Sequence, residues 1–168
     1  GVDPERIAVA GGSAGGYLAL MVGLSDDKTG PGGDLKATVS AKVSAVIDMY
    51  GVVNFSKHGK GEVPGASAAE QAAYLPENQC DPLDPPVLIL HGTADTTVDI
   101  QQSKDMAAAL AKAKADHELI IVAGAPHTFD LHPKGSGWTR TALRWPANGA
   151  EIRKETTSAG ADLVEPTL

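Results

Sequence analysis

Residues 7–22 read Ile7-Ala8-Val9-Ala10-Gly11-Gly12-Ser13-Ala14-Gly15-Gly16-Tyr17-Leu18-Ala19-Leu20-Met21-Val22. A short apolar run enters a turn built from glycines around one serine, and a longer apolar run leaves it. The pattern predicts a strand over 7–11, a sharp reversal at Ser13 and a helix over 15–24 with Leu18, Met21 and Val22 as its apolar stripe. Such a reversal forces the serine into a strained backbone conformation. A Cβ two residues before or after it is expected to collide, hence glycine at 11 and 15. The hydroxyl then stands exposed beyond the strand's carboxyl end, and the Ala14 N–H at the helix start points toward the same space.

Working outward, a second strand fits 43–50 and is ended by Gly51. A third, 87–90, follows Pro85-Pro86 and is apolar throughout, as a parallel strand covered on both faces should be. The next helix begins at Asp99. Asp99 and Gln102 have capping-box spacing, and Met106 and Leu110 share one face through Ala113. A fourth strand, 119–122, runs into Ala123-Gly124-Ala125-Pro126. Strands alternating with helices imply an α/β fold: a mostly parallel sheet, right-handed crossovers and flanking helices. Segments 25–36 and 54–86 read as loops, the second with a short helical stretch at 67–74. From residue 135 neither periodicity persists, so the chain divides into a 1–134 core and an atypical 135–168 tail, expected to be disordered over 156–168.

The 168 residues suit one domain with a sizeable core. A net charge of −7 without a basic patch argues against nucleic acid as a partner. No apolar run approaches the ~20 residues needed to cross a bilayer. The single cysteine, Cys80, excludes a disulfide within the chain and reads as a small hydrophobe without an activating neighbour. No His, Asp or Cys pair has metal-ligand spacing on a helix face, and neither metal nor cofactor is expected.

In an open parallel sheet, ligands sit beyond the carboxyl ends of the strands. Three residues follow strand ends here: Ser13, Asp95 in His91-Gly92-Thr93-Ala94-Asp95, and His127 in Gly124-Ala125-Pro126-His127-Thr128-Phe129. A serine hydroxyl needs a base to act as a nucleophile, a histidine supplies it, and a carboxylate fixes the imidazole's tautomer. Gly11, Ser13 and Gly15 have the G-x-S-x-G form of a nucleophile elbow, and the order Ser, Asp, His suits it. Each member has rivals. Asp99 is better explained as a helix cap. His91, beside Gly92, reads as a packed, hydrogen-bonded turn residue with a smaller claim to a direct role. His132 lies further from the strand end than His127. His58 and His117 read as solvated, and Asp48 as stabilising a turn.

These segments resemble a known family. Gly11-Gly12-Ser13-Ala14-Gly15-Gly16-Tyr17-Leu18-Ala19 is similar to the elbow of the esterase/lipase branch of α/β-hydrolases, and the double glycine is closest to acetyl-xylan and feruloyl esterase-like members. Residues 85–96 resemble that family's acid-bearing strand and loop, and residues 124–129 its histidine loop. The resemblance implies hydrolysis of small acyl esters through an acyl-serine. It assigns Ser13 as nucleophile, His127 as base and then acid, Asp95 as the orienting carboxylate and Ala14 N–H as an oxyanion donor. It further implies upstream strands and an H-G-G-G-like loop. Nothing in this sequence matches that loop, and Gly32-Gly33 comes after the serine. The expected fold is therefore the carboxyl-terminal half of an α/β-hydrolase. The serine strand becomes an open edge, and association with an amino-terminal partner or a second copy is expected. A catalytically weak or inactive hydrolase fragment acting as an assembly module is the competing reading.

Overall fold

The computed structural model describes residues 3, 6–25, 41–56 and 65–129. Four parallel strands, β1 (Ala8–Gly12), β2 (Ala45–Met49), β3 (Val87–Gly92) and β4 (His117–Val122), lie in the order β1-β2-β3-β4. Helix α1 (Ala14–Leu24) links β1 toward β2, and α3 (Gln101–Ala113) joins β3 to β4. A short α2 (Ala68–Ala73) and a 3-10 turn (Pro76–Asn78) lie between β2 and β3. The α/β class and the parallel sheet are as expected; β1 is shifted by one residue, β3 and β4 are longer by two, and β2 is shorter than the expected 43–50 at both ends. Residues 26–36, His58, His132 and the 135–168 tail, for which the sequence raised expectations, lie outside the described residues.

Side chains alternate along the strands, and β2, β3 and β4 each feed two cores. Val46, Val87 and Ile89 pack with Ala19, Leu20, Leu24, Met106 and Leu110 on the helix-covered face. Ile47, Leu88 and Leu90 pack with Tyr50, Val122, Ala125 and Phe129 on the other. All six residues of β3 are buried, which explains why its sequence lacks polar alternation.

The stripe expected on α1 is wrong. Gly16, Ala19, Leu20 and Leu24 face the core, whereas Leu18 and Val22 are 60% and 49% exposed. Every α1 residue except Tyr17 is glycine or fully apolar, so periodicity could not choose a face; close approach to the sheet selected the small side chains. The Asp99–Gln102 capping box is also absent. Asp99 does take the Gln101 N–H at 2.9 Å, but the Gln102 side chain crosses to the loop after β2. Its Oε1 accepts from Val53 and Asn54 N–H, both at 2.7 Å, and its Nε2 donates to the Asn54 carbonyl. A genuine capping box occurs instead at Ser67 and Glu70, starting α2. Among the described residues β1 is an outer strand of the sheet, pairing with β2.

Candidate active site

Ser13 sits at the hinge between β1 and α1 with φ 56° and ψ −120°. Its N–H donates to the Met49 carbonyl at 2.9 Å, tying the turn to the end of β2. Its carbonyl accepts from Gly16 and Tyr17 N–H and so opens the helix. A Cβ on Gly11 would run into the Gly15 backbone, so position 11 requires glycine. The matching expectation for position 15 fails: a Cβ there meets open space. Gly15 is the obstacle, not the obstructed residue.

Asp95 follows β3 in a loop held from both sides. Thr93 and Ala94 N–H donate to the Val122 and Ala125 carbonyls, and Gly124 N–H donates to Thr93 Oγ1 at 2.8 Å. These bonds stitch the acid-bearing loop to the loop that carries His127. Gly92 permits the approach, because a Cβ there would strike the Ala125 backbone. The turn beyond tightens at Gly124 (φ 68°) and Thr128 (φ 59°).

The result is a continuous hydrogen-bonded chain. Ser13 Oγ lies 3.1 Å from His127 Nε2, and His127 Nδ1 lies 2.7 Å from Asp95 Oδ2. The other carboxylate oxygen accepts from Thr97 and Val98 N–H at 2.8 and 2.9 Å. Burial would raise the Asp95 pKa, but the bond from His127 and the two loop amides together hold it below the ordinary carboxylate value. An ionised Asp95 accepts from Nδ1–H and leaves Nε2 as the acceptor facing Ser13. The Ala14 N–H, first in α1, has no acceptor within the helix.

Of the rivals, Asp99 is exposed and caps α3. His117 is not a solvated exit residue but begins β4, half-buried, with Nδ1 3.0 Å from the Ala115 carbonyl. Asp48 is fully buried near the end of β2, and neither carboxyl oxygen has a hydrogen bond of good geometry. Burial raises its pKa to about 7, with the nearby Gly51 amide offsetting part of the effect. Cys80 is half-buried, and burial together with Asp84 raises its thiol to about 11. Among the described residues no group of three or more His, Cys, Asp or Glu is arranged to hold a metal ion. No helix among them is long and apolar enough to cross a membrane.

Sequence reasoning missed Tyr50. Its buried ring meets His127 edge-on at 4.7 Å and Phe129 at 5.3 Å, and its φ is 45°. An aromatic at a strand end before a glycine is too common a pattern to have marked it. Ser13, Tyr50 and Thr128 are three of the four non-glycine residues with positive φ among those described, and all three surround the histidine. Strain of this kind collects where surrounding structure over-determines the backbone.

The BD-FAE family model matches residues 1–110. The chain belongs to the BD-FAE family. This BD-FAE chain is 29% identical over 151 residues to the Probable carboxylic ester hydrolase LipM of Mycobacterium tuberculosis (strain ATCC 25618 / H37Rv), covering 78% of the chain and 34% of LipM. It is also 30% identical over 120 residues to Inactive dipeptidyl peptidase 10 of Rattus norvegicus, covering 71% of the chain and 14% of that protein. Among solved structures it resembles the acetyl ester-xyloside bifunctional hydrolase from Caldicellulosiruptor lactoaceticus, with a TM-score of 0.72 and 27% identity, covering 89% of the chain and 58% of that structure. The BD-FAE chain thus spans about a third of LipM and under two thirds of the solved hydrolase.

Proposed function

We propose that this chain carries the reacting groups of a carboxylic ester hydrolase, with Ser13 as nucleophile, His127 as general base and acid, and Asp95 as the orienting carboxylate. The observation that carries the reading is the unbroken contact from Ser13 Oγ through His127 to Asp95, made by residues from three separate strand ends. His127 Nε2 removes the hydroxyl proton as Ser13 Oγ attacks the acyl carbonyl. The Ala14 N–H stabilises the oxyanion that forms. The tetrahedral intermediate then collapses, the C–O bond to the alcohol breaks, and the leaving alkoxide takes the proton from His127. Water enters, gives a proton to His127 and attacks the acyl-serine, which releases the carboxylic acid and restores Ser13.

Small acyl esters, acetyl or feruloyl, on a carbohydrate alcohol are the substrates proposed. Support comes from the acetyl ester activity named for the solved hydrolase and from the family. The similarity to an inactive peptidase favours a second reading, in which the same arrangement persists in a non-catalytic module. Hydrolysis of p-nitrophenyl acetate and labelling by a fluorophosphonate separate the two. Turnover and labelling that Ser13→Ala abolishes support the hydrolase; equal background in both proteins supports the inactive module.

A further inference from the structure

His91, the fifth residue of β3, is fully buried and approaches the Asp95 carboxylate. Its Nε2 lies 3.0 Å from the Val98 carbonyl and 3.3 Å from Asp95 Oδ2, the oxygen that binds His127 Nδ1. Its Nδ1 lies 2.7 Å from Oγ of Ser103, a fully buried residue of α3. A carbonyl only accepts, so the ring proton is assigned to Nε2, and Nδ1 accepts from the Ser103 hydroxyl. Burial lowers the His91 pKa and favours this neutral form, although Val98 and Asp95 pull the other way.

We propose that His91 is a positioning residue for ester hydrolysis: its Nε2–H, bonded to the Val98 carbonyl and lying 3.3 Å from Asp95 Oδ2, holds the acid-bearing loop so that Asp95 meets His127. The inference rests on the hydrolase reading for its catalytic meaning, but not for its geometry. Asp95 then has three hydrogen-bond donors and one further imidazole in electrostatic contact. Thr97 and Val98 N–H fix Oδ1, and the two imidazoles converge on Oδ2. Without His91, the amides at 97 and 98 still bind Oδ1, but Oδ2 can rotate away from His127. Ser103 extends the tether into α3 by fixing which ring nitrogen carries the proton.

The test compares wild type with Ser13→Ala, His91→Leu, His91→Gln and Ser103→Ala, all checked for thermal unfolding. Two readouts are taken: kcat and KM on p-nitrophenyl acetate, and the strongly deshielded His127 Nδ1–H proton resonance. His91→Leu is expected to lower kcat by about 10²-fold at unchanged KM, as a misplacement near 1 Å does, and to weaken the resonance. His91→Gln, whose amide keeps a donor and an acceptor, is expected to restore most of both. Ser103→Ala moves both readouts in the same direction as His91→Leu by a smaller factor, and it decides the matter should His91→Leu fail to fold. Unchanged kcat and resonance in Ser103→Ala and in folded His91→Leu overturn the inference, as does equal loss in His91→Gln and His91→Leu. Absence of turnover above Ser13→Ala overturns the hydrolase reading alone, because the resonance reports the Asp95–His127 contact without it.

Discussion

The ring of Tyr50 packs edge-on against His127 at 4.7 Å, on a residue whose own backbone is held at φ 45°. The end of β2 therefore supports both parts of the proposed reaction centre, since Met49 also binds the Ser13 N–H. Removing the ring opens a void between His127 and Phe129. Tyr50→Ala is expected to lower stability by about 3–5 kcal/mol and to reduce kcat/KM on p-nitrophenyl acetate at least tenfold. Tyr50→Phe keeps the wedge and should stay within threefold of wild-type kcat/KM. Urea unfolding and steady-state kinetics on both variants check this; equal kcat/KM losses would show that the ring contact is not what matters.

Positions 11 and 15 look equivalent in the G-x-S-x-G pattern, yet they are not. A Cβ on Gly11 meets the Gly15 backbone, which cannot move without disturbing the start of α1. At Gly15 a Cβ meets nothing within 4 Å. Gly15→Ala is therefore expected to raise stability by about 0.5–1 kcal/mol through helix propensity, and Gly11→Ala to prevent soluble folding or lower the melting temperature sharply. Differential scanning fluorimetry distinguishes the two; a destabilised Gly15→Ala would contradict the geometry.

Much of this was legible because each signal was local. Apolar strands, glycine at a tight reversal and Ser, Asp and His after three separate strand ends all follow from residue type and spacing, and the structure brings those three side chains into contact. What could not be read depends on contacts across the chain. The core face of α1 was undecidable in an almost uniformly apolar helix. Gln102 has a capping-box spacing from Asp99, but two buried amides some fifty residues away bind it more strongly than a helix end exposed to water. His91 looked like a packed turn residue, and it is packed; that it also comes within 3.3 Å of Asp95 required the loop's path.

Gln102 accordingly offers a stability test at a residue that takes no part in the proposed reaction. Replacing it by alanine leaves the Val53 and Asn54 N–H groups buried without their acceptor. Each such orphan costs about 1–3 kcal/mol, so Gln102→Ala should lose roughly 2–5 kcal/mol. Gln102→Glu keeps an acceptor for both amides and should lose less. Urea midpoints at neutral pH measure the difference, and an unperturbed Gln102→Ala would mean that water replaces the lost acceptor.

Asp48 predicts a pH effect of unusual sign. Its carboxyl is fully buried beside Gly16 and Gly51, at the base of the turn that carries Ser13, and burial raises its pKa from 3.8 to about 7. The folded state thus binds a proton that the unfolded chain has already released over this interval. The group's contribution is complete below the unfolded value and is lost as pH rises from about 4 toward 7. His91 works the other way: burial lowers its pKa, so its contribution is lost as pH falls below its ordinary value. The informative quantity is therefore the difference between Asp48→Asn and wild type, in which the His91 contribution cancels. The isosteric amide cannot ionise, so its stability relative to wild type should improve with rising pH through this window, by an amount on the order of a few kcal/mol. Urea denaturation at half-unit steps from pH 4.5 to 8 reads it directly. A difference that stays constant across the series would mean that Asp48 is ionised and partnered in the folded protein, and that the pocket beneath the serine turn is wetter than its packing implies.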